Sequence, residues 1–341
     1  MPGLCRIALS AIGLPLAITR AQIDGKHPVS PRTTGCTLGS VPLFDEVLKR
    51  RVVILDGGMS NALEDRGHDL SDDLWTARLL RDDPAEIVAV HRAYFEAGAD
   101  VATTASYQAS MPGLIRAGLS DEAAAGLIRS SVHRAREAAE AVAASTGREL
   151  LVAASVGPYG AALADGSEYR GRYGVSAATL RNFHAPRLEL LASAAPDLLA
   201  VETIPDLDEA EVLVPLLDAL GVPAWFSYSV SGGETRAGQP LLAAYEVLAG
   251  STAVVAAGVN CSAPADVLTA VETAVSVTGK PGVAYPNRGE AWDARSHSWA
   301  GHGSFDPALA TTWVEAGARL IGGCCRVGPA DIARLATTLP H

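Results

Sequence analysis

What most constrains this chain is an alternation that starts at Leu43 and runs to the C-terminus. A short β-rich apolar run is followed by a turn and then by an Ala/Leu-rich amphipathic stretch, eight times over. Strands are expected at 52–55, 100–106, 150–156, 198–202, 224–230, 254–260, 282–285 and 319–321. Helices are expected at 87–97, 121–144, 177–194, 208–220, 242–248, 264–277, 307–316 and 329–338, where apolar residues recur at helical spacing. Strands that alternate with helices imply a parallel sheet, and near-continuous apolar strands imply a sheet covered on both faces. Eight such units in roughly 290 residues predict a (β/α)8 TIM barrel, a single α/β domain over 43–341. The competing architecture is an open doubly wound sheet. It lacks its main support, because no G-x-G-x-x-G follows the first strand.

Residues 1–42 stand outside the alternation. Residues 7–18 are mostly apolar and follow Arg6, the outline of an export signal. Against that, Pro15 interrupts the run and Thr19-Arg20-Ala21-Gln22 is a poor cleavage site. Residues 24–42 are rich in Pro, Gly, Ser and Thr, as linkers are. The expectation is an extension outside the domain, disordered or arising from an upstream start codon.

Charge narrows the partners. The net charge is −11 with no Lys/Arg block, so a nucleic-acid partner is not expected. No apolar run reaches the roughly 18 residues that a membrane span needs. The five cysteines are an odd number, two near the N-terminus and three in the body, which is no disulfide framework. Reduced thiols and a cytoplasmic location fit better.

Active sites of such barrels lie at the C-terminal ends of the strands. The first strand ends at Asp56, the second near Tyr107, and the third runs into Gly157-Pro158-Tyr159-Gly160. The fourth ends at Glu202-Thr203, the sixth at Asn260-Cys261, the seventh runs into Tyr285-Pro286-Asn287, and the eighth ends at Gly322-Gly323-Cys324-Cys325. All three body cysteines therefore fall at one end of the barrel, on strands that are next-but-one neighbours. Three thiolates suit zinc, and three protein ligands leave a fourth position open, as in catalytic sites. Adjacent cysteines cannot face one way from a regular strand; the preceding glycine pair would let the backbone turn. Buried inert cysteines or a strained vicinal disulfide are the alternatives. An open thiolate-rich site would let a substrate thiol enter and lose its proton, and a methyl group on a positively charged sulfur would be a fitting electrophile.

Asp56 and Glu202 would pair with the ammonium of an amino-acid substrate, or else cap the helices that follow them. Trp75, Tyr107 and Tyr159 fall in loops at the strand ends and could face a sulfonium, or pack as core or lid. Asn260 could hydrogen-bond near the metal or substrate, or form a turn. His68, His297 and His302 have no partner spacing and are taken as surface residues.

These residues fall into longer motifs that resemble the homocysteine S-methyltransferase family. They are Leu55-Asp56-Gly57-Gly58-Met59, Leu74-Trp75, Thr104-Ala105-Ser106-Tyr107-Gln108, Ser155-Val156-Gly157-Pro158-Tyr159-Gly160-Ala161, Gly258-Val259-Asn260-Cys261 and Gly322-Gly323-Cys324-Cys325-Arg326. The run from Leu163 to Gly171 looks like the S-methylmethionine-using type. The resemblance covers roughly residues 43–340 and leaves the first 42 without a counterpart. It implies a barrel whose Cys261, Cys324 and Cys325 hold zinc and whose Asp56 and Glu202 grip the homocysteine amine. It also implies that Trp75 and Tyr107 lie near the donor, as in relatives that use betaine. The expected reaction moves a methyl group from S-methylmethionine, or S-adenosylmethionine, to L-homocysteine. Other readings are a betaine- or selenocysteine-type methyltransferase, and a non-catalytic barrel that binds zinc or a sulfur amino acid.

Overall fold

The structure is a computed structural model of the chain and describes residues 44–70, 76–293, 298–301, 303 and 305–339. The N-terminal extension, Trp75, His297 and His302 lie outside the described residues. Eight parallel strands form the barrel: β1 (Val53–Ile54), β2 (Val101–Thr103), β3 (Leu151–Val156), β4 (Leu198–Ile204), β5 (Ala224–Tyr228), β6 (Val254–Asn260), β7 (Gly282–Tyr285) and β8 (Ala318–Ile321). β1 pairs with β8 at Val53–Leu320, and a bridge between Leu55 and Val101 joins β1 to β2, which closes the ring. The (β/α)8 barrel is the architecture that the alternation predicts.

Local chemistry sets the helix boundaries. The helix Asp121–Thr146 starts at Ser120, whose side chain accepts the Ala123 amide. Acidic Asp121 and Glu122 occupy its first turn, where the helix dipole favours them. It stops at Gly147, which takes the left-handed conformation (φ 71°) that costs a glycine least. No helix among the described residues is long and apolar enough to cross a membrane.

The barrel interior is divided along its axis. Its lower half is apolar, with Val53, Val101, Leu198, Trp225, Val283 and Leu320 in one buried cluster. The sequence pattern does not disclose the helix Phe44–Arg50, which precedes β1. Its Phe44 and Leu48 join that cluster and plug the lower end, each burial contributing about 1.5–3 kcal/mol. On the same inward face, two residues on from Val101, Ala153, Ala200 and Trp225 of that cluster, the pattern turns polar: Thr103, Ser155, Glu202 and Ser227, all buried. The core supplies rigidity below, and the chemistry-bearing side chains are presented above.

Candidate active site

The sulfur atoms of Cys261, Cys324 and Cys325 lie within 4.8 Å of one another. Cys261–Cys325 is 3.6 Å and Cys324–Cys325 is 3.9 Å. Three sulfurs around one tetrahedral zinc ion, each about 2.3 Å from it, would stand roughly 3.8 Å apart. Two of the three spacings match that value, so the cluster suits such an ion. All three cysteines are free, so the vicinal disulfide is not formed. Cys261 is buried and the other two are half-buried, which leaves one side of the cluster open. Hydrogen bonds from Cys324 and Cys325 hold the Cys261 thiol well below the usual range, while those two thiols are pushed up.

The glycine pair before the two cysteines has a different purpose from the one expected. Neither Gly322 nor Gly323 has a positive φ; the left-handed residue of this turn is Arg326 (φ 69°). The glycines are there for close approach. A Cβ on Gly322 would lie 2.6 Å from the Leu55 Cβ and 2.8 Å from the Asp56 carbonyl oxygen. The loop is stitched to its neighbours: the Cys324 amide donates to the Pro286 carbonyl (2.7 Å) and the Cys325 amide to Asn287 Oδ1 (3.1 Å).

Asp56 accepts from the Thr103 amide (2.7 Å), the Thr103 hydroxyl (3.0 Å) and the Tyr285 hydroxyl (2.7 Å). Glu202 accepts from the Ser155 hydroxyl and, at 3.5 Å, from the Asn260 amide. Neither acid caps a helix. Helix Met59–Asp65 has Gly58 at its N-cap, and helix Leu207–Leu220 is capped by Asp206. Burial pushes the Asp56 carboxyl up to about 7 and that of Glu202 to about 8, despite these hydrogen bonds. Neither carboxyl has an ion-pair partner among the described residues, although the charge of Arg187 acts on Glu202, so both can take a cationic ligand. β4 continues to Ile204, past the expected end, through a bulge at which Thr203 is left-handed (φ 61°). A bulge re-aims side chains, here around Glu202.

The second and third loops form the other wall. Arg187, buried in helix Ala177–Ser193, donates to the carbonyls of Gly157 (3.0 Å), Ser106 (2.5 Å) and Tyr107 (2.6 Å). This buried cation ties the ends of β2 and β3 together. Tyr107 packs on Gly157, where a Cβ would lie 2.7 Å from its ring, and its buried hydroxyl sits beside Thr203 without a well-formed hydrogen bond. Further along the loop, the Tyr169 hydroxyl reaches 3.5 Å from Cys261 Sγ. The neighbouring Glu168 has a buried carboxylate oxygen, and burial raises this carboxyl to about 7.

The structure brings Cys261, Cys324 and Cys325 together and places Asp56, Glu202, Asn260 and Tyr107 at the same end of the barrel. The Tyr159 ring is engaged elsewhere, packed on Tyr173 and Phe183. Its amide donates to Glu209, which also binds His184 and Tyr173. His68 is not a free surface residue: it shares Glu86 with Arg66. Sequence reasoning set Tyr285 at a strand end and Ser155, Glu168 and Tyr169 inside family-like motifs, but gave none of the four a role. The available signal was that the last inward residue of most strands is polar.

A family model described as homocysteine S-methyltransferase matches residues 53–339. The homocysteine S-methyltransferase of Escherichia coli K12 is 47% identical over 301 residues, covering 86% of this chain and 97% of that protein. Homocysteine S-methyltransferase 1 of Zea mays is 44% identical, covering 84% and 94%. Among solved structures, the metallated form of the homocysteine methyltransferase MmuM from Escherichia coli superposes with a TM-score of 0.78. It is 43% identical and covers 87% of this chain and 99% of that one.

Proposed function

Because the chain belongs to the homocysteine S-methyltransferase family, we propose that it methylates the thiol of L-homocysteine from S-methylmethionine, with zinc held by Cys261, Cys324 and Cys325. The observation that carries this reading is the open cluster of three sulfurs, spaced as three corners of a tetrahedron. Zinc bound there would supply a Lewis acid that keeps an incoming thiol deprotonated at neutral pH.

The remaining work falls to the protein. Asp56 and Glu202 take the homocysteine ammonium, a cation that satisfies both buried carboxyls. Asn260, between Glu202 and Cys261, orients the substrate. The Tyr107 ring faces the donor, while Tyr159 supports the loop. The homocysteine sulfur attacks the methyl carbon, the methyl–sulfonium bond breaks, and its electron pair stays on the departing sulfur. A thiolate and a sulfonium become two neutral thioethers, so two methionines form and the thiol proton is released to solvent. Charge is lost on the way to the transition state, so a site that excludes water speeds the step. Free thiols fit a cytoplasmic enzyme.

The test is methionine formation by zinc-loaded protein, with S-methylmethionine and S-adenosylmethionine assayed in parallel. Turnover with S-methylmethionine is expected. No methionine from homocysteine with any sulfonium donor would overturn the proposal.

A further inference from the structure

Among the carboxylates of this region, Glu168 carries a buried oxygen left without a partner. Asp56 holds three donors and Glu202 two. Glu168 Oε2 is buried with no hydrogen-bond partner among the described residues. It belongs to the turn Ser167–Tyr169, whose next residue, Tyr169, reaches Cys261 Sγ. Its charge is close enough to act on both the Cys261 thiol and the Tyr107 hydroxyl. Gly160 packs tightly on this turn, since a Cβ there would lie 2.5 Å from the Glu168 amide nitrogen. The carboxylate is thus carried on a braced loop, not on a free end. The nearby Arg170 is exposed and faces Asp165 at 3.9 Å.

A buried carboxylate oxygen without a partner is costly, and a cationic ligand removes the cost. S-methylmethionine offers two cations, the sulfonium and the α-ammonium. Pairing with the sulfonium would be lost as the methyl leaves. For unit charges 4 Å apart, with the screening usual near a protein surface, that loss would slow transfer about a thousandfold. Pairing with the α-ammonium persists unchanged through the reaction and costs no rate.

We propose that Glu168 selects an amino-acid methyl donor by pairing its carboxylate with the donor's α-ammonium. This rests on the reading of S-methylmethionine as donor. The experiment is calorimetric titration of zinc-loaded protein with S-methylmethionine and with its N-acetyl derivative, for the native chain and for Glu168→Gln and Glu168→Asp. The native chain should prefer the free amine by about tenfold to a hundredfold, the range of one charged hydrogen bond. Glu168→Gln should lose that preference and Glu168→Asp keep part of it. In turnover, Glu168→Gln should raise the KM for S-methylmethionine while kcat and the KM for homocysteine stay within about threefold, the pattern of uniform binding. Equal preference in the native chain and Glu168→Gln, or a rise in the homocysteine KM instead, overturns the assignment. Lack of turnover by the native chain would count against the proposed reaction alone, because the binding preference is read without it.

Discussion

Thr203 and Asn260 clamp β4 to β6 through two reciprocal hydrogen bonds. The Thr203 amide donates to Asn260 Oδ1 (2.6 Å), and Asn260 Nδ2 donates to the Thr203 hydroxyl (2.8 Å). Thr203 follows Glu202 and Asn260 precedes Cys261, so the clamp fixes a carboxylate and a metal-ligand candidate against each other. It also holds two left-handed, non-glycine residues, Thr203 (φ 61°) and Cys261 (φ 49°). Such conformations cost about 1–3 kcal/mol each and persist only where the surroundings enforce them.

Asn260→Ala should therefore do more than remove a side chain. It leaves the buried Thr203 amide without its acceptor, at a cost of about 1–3 kcal/mol. Urea unfolding should show a lower midpoint, and the KM for homocysteine should rise as Glu202 loosens. An unchanged midpoint would mean that the clamp does not bear on the fold.

Replacing Cys325 by Ala should remove most of the bound metal and most of the activity, measured as zinc per chain and methionine formed. Treatment of the native chain with a chelator should likewise stop turnover. The far-ultraviolet circular dichroism should stay near its starting value, because the larger core cluster is apolar packing that includes none of the three cysteines. Metal content and activity both retained in Cys325→Ala would take that residue out of the site.

Glu202 and Asp56 give a pH signature. Their folded values, about 8 and 7, lie above the ordinary 4.5 and 3.8. The folded state therefore holds protons that the unfolded chain releases. Their contribution to stability is complete below about pH 4 and disappears as pH rises through 7 to 8. The unliganded chain should lose Tm from about pH 5 to 8 and level off by pH 9, and Glu202→Gln should flatten the curve, with a difference at pH 9 on the order of 2–4 kcal/mol. Homocysteine should act in the opposite direction, tightening over the same window as the carboxylates ionise. Parallel Tm curves for the two proteins would refute the assignment.

Close backbone contact makes two glycines sensitive to a single methyl group. At Gly258 a Cβ would lie 2.1 Å from the Val283 carbonyl oxygen, and only separation of β6 from β7 would relieve it. Gly258→Ala should yield little soluble protein. At Gly322 the conflict is with Leu55, Asp56 and Tyr285. Gly322→Ala should fold with a loss of about 1–3 kcal/mol and bind metal more weakly, read from unfolding curves and zinc titration.

The barrel was legible because its signal is local: each strand–helix unit declares itself by period and length. The cysteines were legible because three of a scarce, metal-prone type fall at one end of that pattern. The bonds that give Asp56 its surroundings were not legible, since Tyr285 lies 229 residues away and pairs with it only once the ring closes. Arg187 looked like any polar residue in a helix, because nothing in its neighbourhood of sequence says that three carbonyls await it. Tyr159 misled for the opposite reason: its loop is at the site, but its ring turns toward Tyr173 and Phe183. The helix Phe44–Arg50 escaped notice because it precedes the repeat.

That plug has a kinetic consequence. With Phe44 and Leu48 packed into the lower cluster, substrates approach Asp56 and Glu202 from the upper end. Asp56 and Glu202 are buried, whereas Cys324 and Cys325 stand half-open at the entrance. Under the proposed reaction, whichever amino acid Asp56 and Glu202 grip has to pass the sulfurs before the donor settles over them. The donor then acts as a cork. Substrate addition becomes a queue, with homocysteine first in line and the spent donor first to leave.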